Sequence, residues 1–340
     1  MAFSLVSFIA AAAISFGLLL CLRPLLARYA LAKPNARSSH KMPTPQGGGI
    51  AVIAATTLVV AAAEILIPGQ AEEPLRLAVI FVSAIGLALV GVTDDVRPLQ
   101  PVPRLVLQAT GVAAVIAALP YDMQIVPALP WWLDRALALV GGVWFVNVVN
   151  FMDGIDWITV AEIVPVTAGL VLFGLMGALP QDATLVALAL CGAMVGFAPF
   201  NRPVAQLFLG DVGSLPIGLL LGWLLLLLAG HGYFAAAALL PLYYLADASI
   251  TLARRALNGE SVMQAHRSHF YQRALDRGFS VYRIVVLVFT LNIALGALAL
   301  LTVLNSSVTI GLMSFAAGGI LVAVLLWEFS RAGSEKQKIV

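Results

Sequence analysis

Apolar residues fall in long blocks along this chain, with neither the strict alternation of a strand nor the one-sided stripe of a surface helix. Eleven blocks recur, over about residues 3–22, 47–67, 76–92, 104–120, 134–150, 158–178, 183–200, 212–229, 232–252, 283–303 and 308–328. Each is close to the roughly 17–25 residues that carry a helix across a bilayer. The pattern predicts an all-α polytopic membrane protein of about eleven transmembrane helices. Residues 1–330 form one integral membrane domain, and 331–340 a short tail. The first block runs into "RPLLARYALAKPNARSSHK" without a small-residue cleavage site, which predicts a retained helix rather than a signal peptide.

Composition agrees with the pattern. Of 340 residues 61% are hydrophobic and 11% charged, where soluble domains carry about 25% charged residues. With eleven helices, all 19 Lys and Arg except Arg76 and Arg135 fall in alternate loops on the side of the C-terminus. The positive-inside rule then places the N-terminus outside and the basic loops and C-terminus in the cytoplasm. Cys21 and Cys191 lie inside predicted helices, with no disulfide or Cys/His metal spacing. No nucleic-acid partner is expected.

Acidic residues inside membrane helices mark function by default, and here they gather at one depth. Asp94 and Asp95 close helix 3 in "GVTDDVRP", Asp153 and Asp156 follow helix 5 in "NVVNFMDGID", Asp211 opens helix 8 in "FLGDVGS", and Asp247 lies near the same end of helix 9. The expected result is a polar site at the cytoplasmic membrane surface. Its carboxylates would hold a hard divalent cation and its Lys and Arg a phosphate.

Each motif has a plainer reading as well. The adjacent Asp94 and Asp95 repel, so a metal would hold both ionised; a solvated helix end with Arg97 as partner is the alternative. Asn147, Asn150, Asp153 and Asp156, three apart, form one polar stripe or an interhelical hydrogen-bond seam. Asp211 is a ligand or the cap of helix 8. Gly47 to Gly49 offer backbone N–H groups to a phosphate or serve helix packing. Asp247 is expected to be structural, pairing near Arg254. His266 and His269 with Arg267 and Arg273 read as site residues or as a solvated interfacial helix.

Five blocks, "PNARSSH…PTPQGGG", "GVTDDV…R…Q", "NFMDGID", "FNRPVAQLFLGDVGS" and "HRSHFYQ", resemble the polyprenyl-phosphate N-acetylhexosamine-1-phosphate transferase superfamily, in the family order from about Pro34 to Gly278. The resemblance implies ten or eleven transmembrane helices around a cytoplasmic cleft. It implies transfer of an N-acetylaminosugar 1-phosphate from a UDP-sugar to undecaprenyl phosphate with Mg2+ or Mn2+, in a bacterial inner membrane. "HRSHFYQ" looks closer to the O-antigen-initiating branch than to the muramoyl-pentapeptide translocase, which is the alternative enzyme; a transporter is the alternative of another class.

Carried over residue by residue, the resemblance implies catalytic roles for Asp94, Asp95, His269 and Arg267. It implies metal ligation by Asp211, Asp95 and Asp153, and substrate contacts from Lys41, Thr44, Arg104, Asn150, Asp153, Asp156, Asn201 and Phe208. Membrane lipids are partners, and a homodimer is left open. Two departures stand out: Ala32 where relatives often have Asp, and Trp157 where the usual "DGxDG" has its second glycine. A reshaped sugar pocket beside Asp156 is expected from the latter.

Overall fold

The computed structural model describes residues 2–32, 43–67, 73–262, 264, 266–305 and 307–331. The expected Lys41 contact lies outside the described residues. Thirteen α-helices are described: α1 (Ala2–Tyr29), α2 (Gly49–Leu66), α3 (Pro74–Val96), α4 (Pro101–Ala118), α5 (Trp131–Met152), α6 (Ile158–Leu175), α7 (Gln181–Phe197), α8 (Asp211–Leu228), α9 (Phe234–Leu239), α10 (Leu242–Leu257), α11 (Phe270–Asp276), α12 (Val281–Leu304) and α13 (Val308–Arg331). The described sheet structure is one antiparallel pair, β1 (Leu31–Ala32) with β2 (Thr44–Pro45).

All eleven apolar blocks are helical, and nine helical stretches among the described residues are long and apolar enough to cross a membrane. The chain is thus an all-α polytopic membrane protein. The ninth block is divided. The wide helical turn Ala229–Tyr233 leaves helical geometry at Gly232 (φ 93°), and Pro241 separates α9 from α10. Both residues break helices for backbone reasons: glycine accepts positive φ, and proline lacks an N–H.

Helix α8 is the centre of the bundle. It is apolar on every side and almost wholly buried, as a core helix should be. Small residues let its neighbours approach closely. A Cβ on Gly49 would lie 2.1 Å from Gly213 Cα, and one on Gly91 would lie 2.4 Å from the Asp211 backbone. These contacts seat the start of α2 and the end of α3 against the first turn of α8, where the acids are.

The glycine run therefore serves packing. Gly47 and Gly48 donate their N–H groups to Phe208 O (3.2 and 2.9 Å), and Gly49 donates to Leu209 O (2.9 Å). The donors that could have faced a phosphate are taken by the loop before α8.

Candidate active site

Neighbouring residues on a helix point about 100° apart, and that separates the Asp94 and Asp95 side chains. Asp95 turns to α8: its carboxylate accepts the backbone N–H of Asp211 (3.1 Å) and of Val212 (3.2 Å). The positive end of α8 thus receives its anion from α3. Asp94 turns to α4: it accepts the Leu99 N–H (2.6 Å) and a bond from Arg104 Nη1 (2.8 Å). The partner that offsets the repulsion is Arg104, ten residues on, rather than Arg97. Arg104, expected to hold substrate, is engaged with Asp94. Gln46 adds a bond from Nε2 to the Asp95 carbonyl (3.0 Å).

Asp211 is not a self-contained cap. Asn150 donates to its Oδ1 (2.8 Å) and to Ser214 Oγ (2.9 Å), and the Asp94 carboxyl lies within hydrogen-bonding reach. Two carboxyl groups so close need a proton or a cation between them. That donor set suits Mg2+, which typically uses one or two carboxylates plus substrate phosphates. It is an open pair rather than a cage: among the described residues no three acidic, histidine or cysteine side chains are arranged to hold an ion alone.

The second half of the site is the end of α5. Asp153 accepts a short hydrogen bond from Thr159 Oγ1. Burial pushes its carboxyl up to about 7, with the charges of Asp95 and Asp156 adding to the effect and the Thr159 bond opposing it. Asp153 is an electrostatic neighbour of Asp95 held by Thr159, outside the close Asp94–Asp211 pair.

The start of α11 docks here. Tyr271 Oη donates to Phe151 O (3.2 Å), and the His269 ring packs beside Phe151, centroids 6.4 Å apart. Burial drives the Tyr271 hydroxyl well above its usual range, so it stays a donor. Gly154 is required by this approach, because a Cβ there would meet Tyr271 Oη at 2.1 Å.

Asp247 organises that helix start. Fully buried in α10, it accepts the N–H groups of Phe270 (3.0 Å) and Tyr271 (3.3 Å), and lies 3.2 Å from His269 Nδ1. Its partner is therefore the histidine loop and not Arg254, which sits over the Phe270 ring. His269 is 2% exposed. Arg267 pairs with Asp276 (2.8 Å).

The remaining residues expected to contact substrate also make contacts within the fold. Asp156 accepts the Ala205 N–H (2.9 Å). Asn201 accepts the Trp157 N–H (2.7 Å) and donates to Leu207 O (3.0 Å). Together they clamp the 198–207 loop. Asn147 donates to Gln108 Oε1 (2.7 Å) between α5 and α4, the interhelical seam. Thr44 is buried in β2, opposite Ala32. Phe208 is partly exposed, and its backbone pairs with Gln46. Sequence reasoning passed over Gln46, Thr159 and Ser214. The last was visible as a hydroxyl three residues after Asp211, one turn along α8.

Comparison with known proteins places this arrangement. The model of the family described as Glycosyl transferase family 4 matches residues 77–229. The chain is 27% identical over 293 residues to a decaprenyl-phosphate N-acetylglucosaminephosphotransferase of Mycolicibacterium smegmatis, covering 76% of this chain and 72% of that one. It is 27% identical over 288 residues to the "Probable undecaprenyl-phosphate N-acetylglucosaminyl 1-phosphate transferase" of Bacillus subtilis, covering 80% and 78%. A phospho-N-acetylmuramoyl-pentapeptide-transferase of Chlamydia pneumoniae is 38% identical over 102 residues, 28% of this chain. The match to the family model takes in Asp94, Asp95, Asn150, Asp153 and Asp211 together, so the stretch that carries these acids is similar to glycosyl transferase family 4, and most of the chain is similar to polyprenyl-phosphate N-acetylglucosamine phosphotransferases.

Proposed function

We propose that the chain transfers an N-acetylaminosugar 1-phosphate from a UDP-sugar to undecaprenyl phosphate, giving undecaprenyl-diphospho-sugar and UMP. The site faces the cytoplasm of a bacterial plasma membrane, and the reaction starts a cell-surface polysaccharide such as O-antigen. The names of the relatives support the sugar 1-phosphate transfer and the polyprenyl acceptor. The skew of Lys and Arg supports the orientation. The observation that carries the reading is the Asp94–Asp211 carboxyl pair at the start of α8, beside the end of α5.

In this reading the acceptor phosphate attacks the β-phosphorus of the donor and UMP leaves. A phosphate monoester loses its second proton near pH 6, so a strong base is not needed; charge neutralisation and in-line alignment are. Asp94 and Asp211 would hold a Mg2+ or Mn2+ ion, which would supply charge neutralisation at the diphosphate. Asp95 fixes the first turn of α8 so that Asp211 faces Asp94. Phe208, a partly exposed residue, is assigned to the uracil. His269, oriented by Asp247, and Arg267 are assigned to the diphosphate.

The test is UMP release by membranes carrying the full chain, given undecaprenyl phosphate and a panel of UDP-N-acetylaminosugars. Release should require both substrates. Asp94→Asn and Asp211→Asn should lose roughly 10²-fold or more of the rate, the range for removing a group that stabilises transition-state charge. Near-normal turnover in both variants would sink the proposal.

A further inference from the structure

At the end of α5 opposite Asp153 the structure holds a second polar feature that the reaction does not use. Arg135 lies in the first turns of α5, eighteen residues before Asp153, so about 27 Å separates them along the helix. That is close to the thickness of a bilayer's hydrocarbon core, about 30 Å. Arg135 is 8% exposed. Its Nη2 donates to the carbonyls of Pro120 and Met123, but its Nε and Nη1 are buried without a hydrogen-bond partner among the described residues. Asp134 instead accepts the N–H groups of Ile125 and Val126, and no bond joins it to those Arg135 nitrogens. A guanidinium carries five donors in a planar fork, and leaving three unmatched in apolar surroundings is costly.

Arg135 also lines a groove of about 480 Å³ between α4 and α5. Ala113, Ile116, Ala117 and Leu139 line it together with Tyr121 and Trp131. Those two rings pack on each other at 5.1 Å, Trp131 donates to Tyr121 O, and Arg135 sits 5.7 Å from the Trp131 ring centre. Aromatic pairs of this kind sit at headgroup level. The groove therefore joins an apolar floor to a cation short of partners, at interfacial depth.

We propose that this groove binds an acidic glycerophospholipid in the leaflet remote from the carboxyl pair. The phosphate meets Nη1 of Arg135 through one charge-assisted hydrogen bond, and an acyl chain lies along Ala113, Ile116, Ala117 and Leu139. A small displacement of the Trp131 ring admits the headgroup. Charge complementarity selects this occupant over a neutral lipid, and the apolar floor selects it over a free anion. The site is separate from the one that takes the polyprenyl phosphate and does not rest on the proposed reaction.

The test is native mass spectrometry of the full chain released from nanodiscs of equimolar phosphatidylglycerol and phosphatidylcholine. Wild type should retain phosphatidylglycerol in preference to phosphatidylcholine by about tenfold, the ratio that one net charged hydrogen bond supplies. Arg135→Gln and Ala117→Phe should each abolish the preference. Ala117→Phe fills the groove without touching the bonds of Arg135 to the 120–123 turn, so it separates ligand loss from misfolding. Equal retention of the two lipids by wild type, an unchanged preference in Ala117→Phe, or displacement of the phospholipid by millimolar inorganic phosphate would each overturn the proposal.

Discussion

The carboxylate of Asp95 accepts the backbone N–H of Asp211 at 3.1 Å, across 116 residues of sequence. One acid at the end of α3 therefore completes the start of α8 and fixes where a second acid, Asp211, must stand. Gly210 makes room for it: its φ is +75°, and a Cβ there would lie 2.6 Å from Asp95 Oδ2. The adjacent pair Asp94 and Asp95 is thus divided in labour, one member structural in its contacts and the other turned to Arg104 and Asp211.

That division predicts different stabilities. Asp95→Asn presents an NH2 group to one of the two N–H donors and removes the anion from the positive end of α8. It should cost about 1–3 kcal/mol. Asp94→Asn leaves a partly exposed Arg104 without its charge partner and relieves the crowding with Asp211, so it should cost less. Thermal midpoints in detergent check this, and equal losses for the two variants would refute the division.

Divalent cations should stabilise the protein through the Asp94–Asp211 pair. At a hundredfold excess over its dissociation constant, an ion that binds only the folded state adds about 2.7 kcal/mol. The Mg2+-dependent rise in thermal midpoint should vanish in Asp94→Asn and in Asp211→Asn and persist in Asp153→Asn. Chelation should remove UMP release. A full Mg2+ response in Asp211→Asn would show that the ion sits elsewhere.

Asp153 should give the metal-free protein a pH dependence. Its folded carboxyl titrates at about 7, against about 3.9 in an unfolded chain. The folded state holds the proton more tightly, so the contribution to stability is present below about pH 4 and is lost as pH rises toward 7. The wild-type thermal midpoint in divalent-free buffer should therefore fall more steeply over that range than that of Asp153→Asn. Parallel curves for the two proteins would remove Asp153 as the cause.

The class of protein and its eleven apolar blocks were legible because hydropathy and length are local properties. The acids were legible because a carboxylate at a membrane helix end stands out in any reading. What each acid touches was not, since Asp95 with Asp211, Asp94 with Arg104 and Asp247 with His269 are pairings made by packing. The glycine run shows why. From sequence its N–H groups could face a phosphate or a neighbouring chain, and only the placement of Phe208 and Leu209 decides. Asp247 had a signal that was undervalued: it is the single acid of its apolar block, and a fully buried carboxylate needs several donors.

Asp247 is predicted to be a positioning residue for His269. A carboxylate beside Nδ1 sets which ring nitrogen carries the proton and which is presented to a ligand. Asp247→Asn should lower kcat of UMP release by on the order of 10²-fold, the scale of a proton-handling or oriented imidazole contribution, with KM for the UDP-sugar little changed. A purely structural role would instead lower the thermal midpoint and leave the folded fraction with normal kcat. Asp247→Glu, which keeps the charge, should recover part of the rate.

Trp157 ties the sequence departure to a backbone fact. It has φ 63°, a left-handed conformation among non-glycine residues, and the usual family motif has glycine at this place. The strain, roughly 1–2 kcal/mol, is offset by the indole, which donates to Ala198 O (2.6 Å) and meets Tyr282 edge-on at 6.0 Å. Trp157→Gly relieves the backbone and releases the 198–207 loop, so the net change in thermal midpoint should be small. Trp157→Ala keeps the strain and loses the indole, and should be the less stable of the two. Because that loop leads to Phe208 and Asp211, Trp157→Gly should alter the ranking of UDP-sugars by kcat/KM while leaving the Mg2+ midpoint in place. An unchanged ranking would mean that the indole braces the loop without shaping the donor pocket.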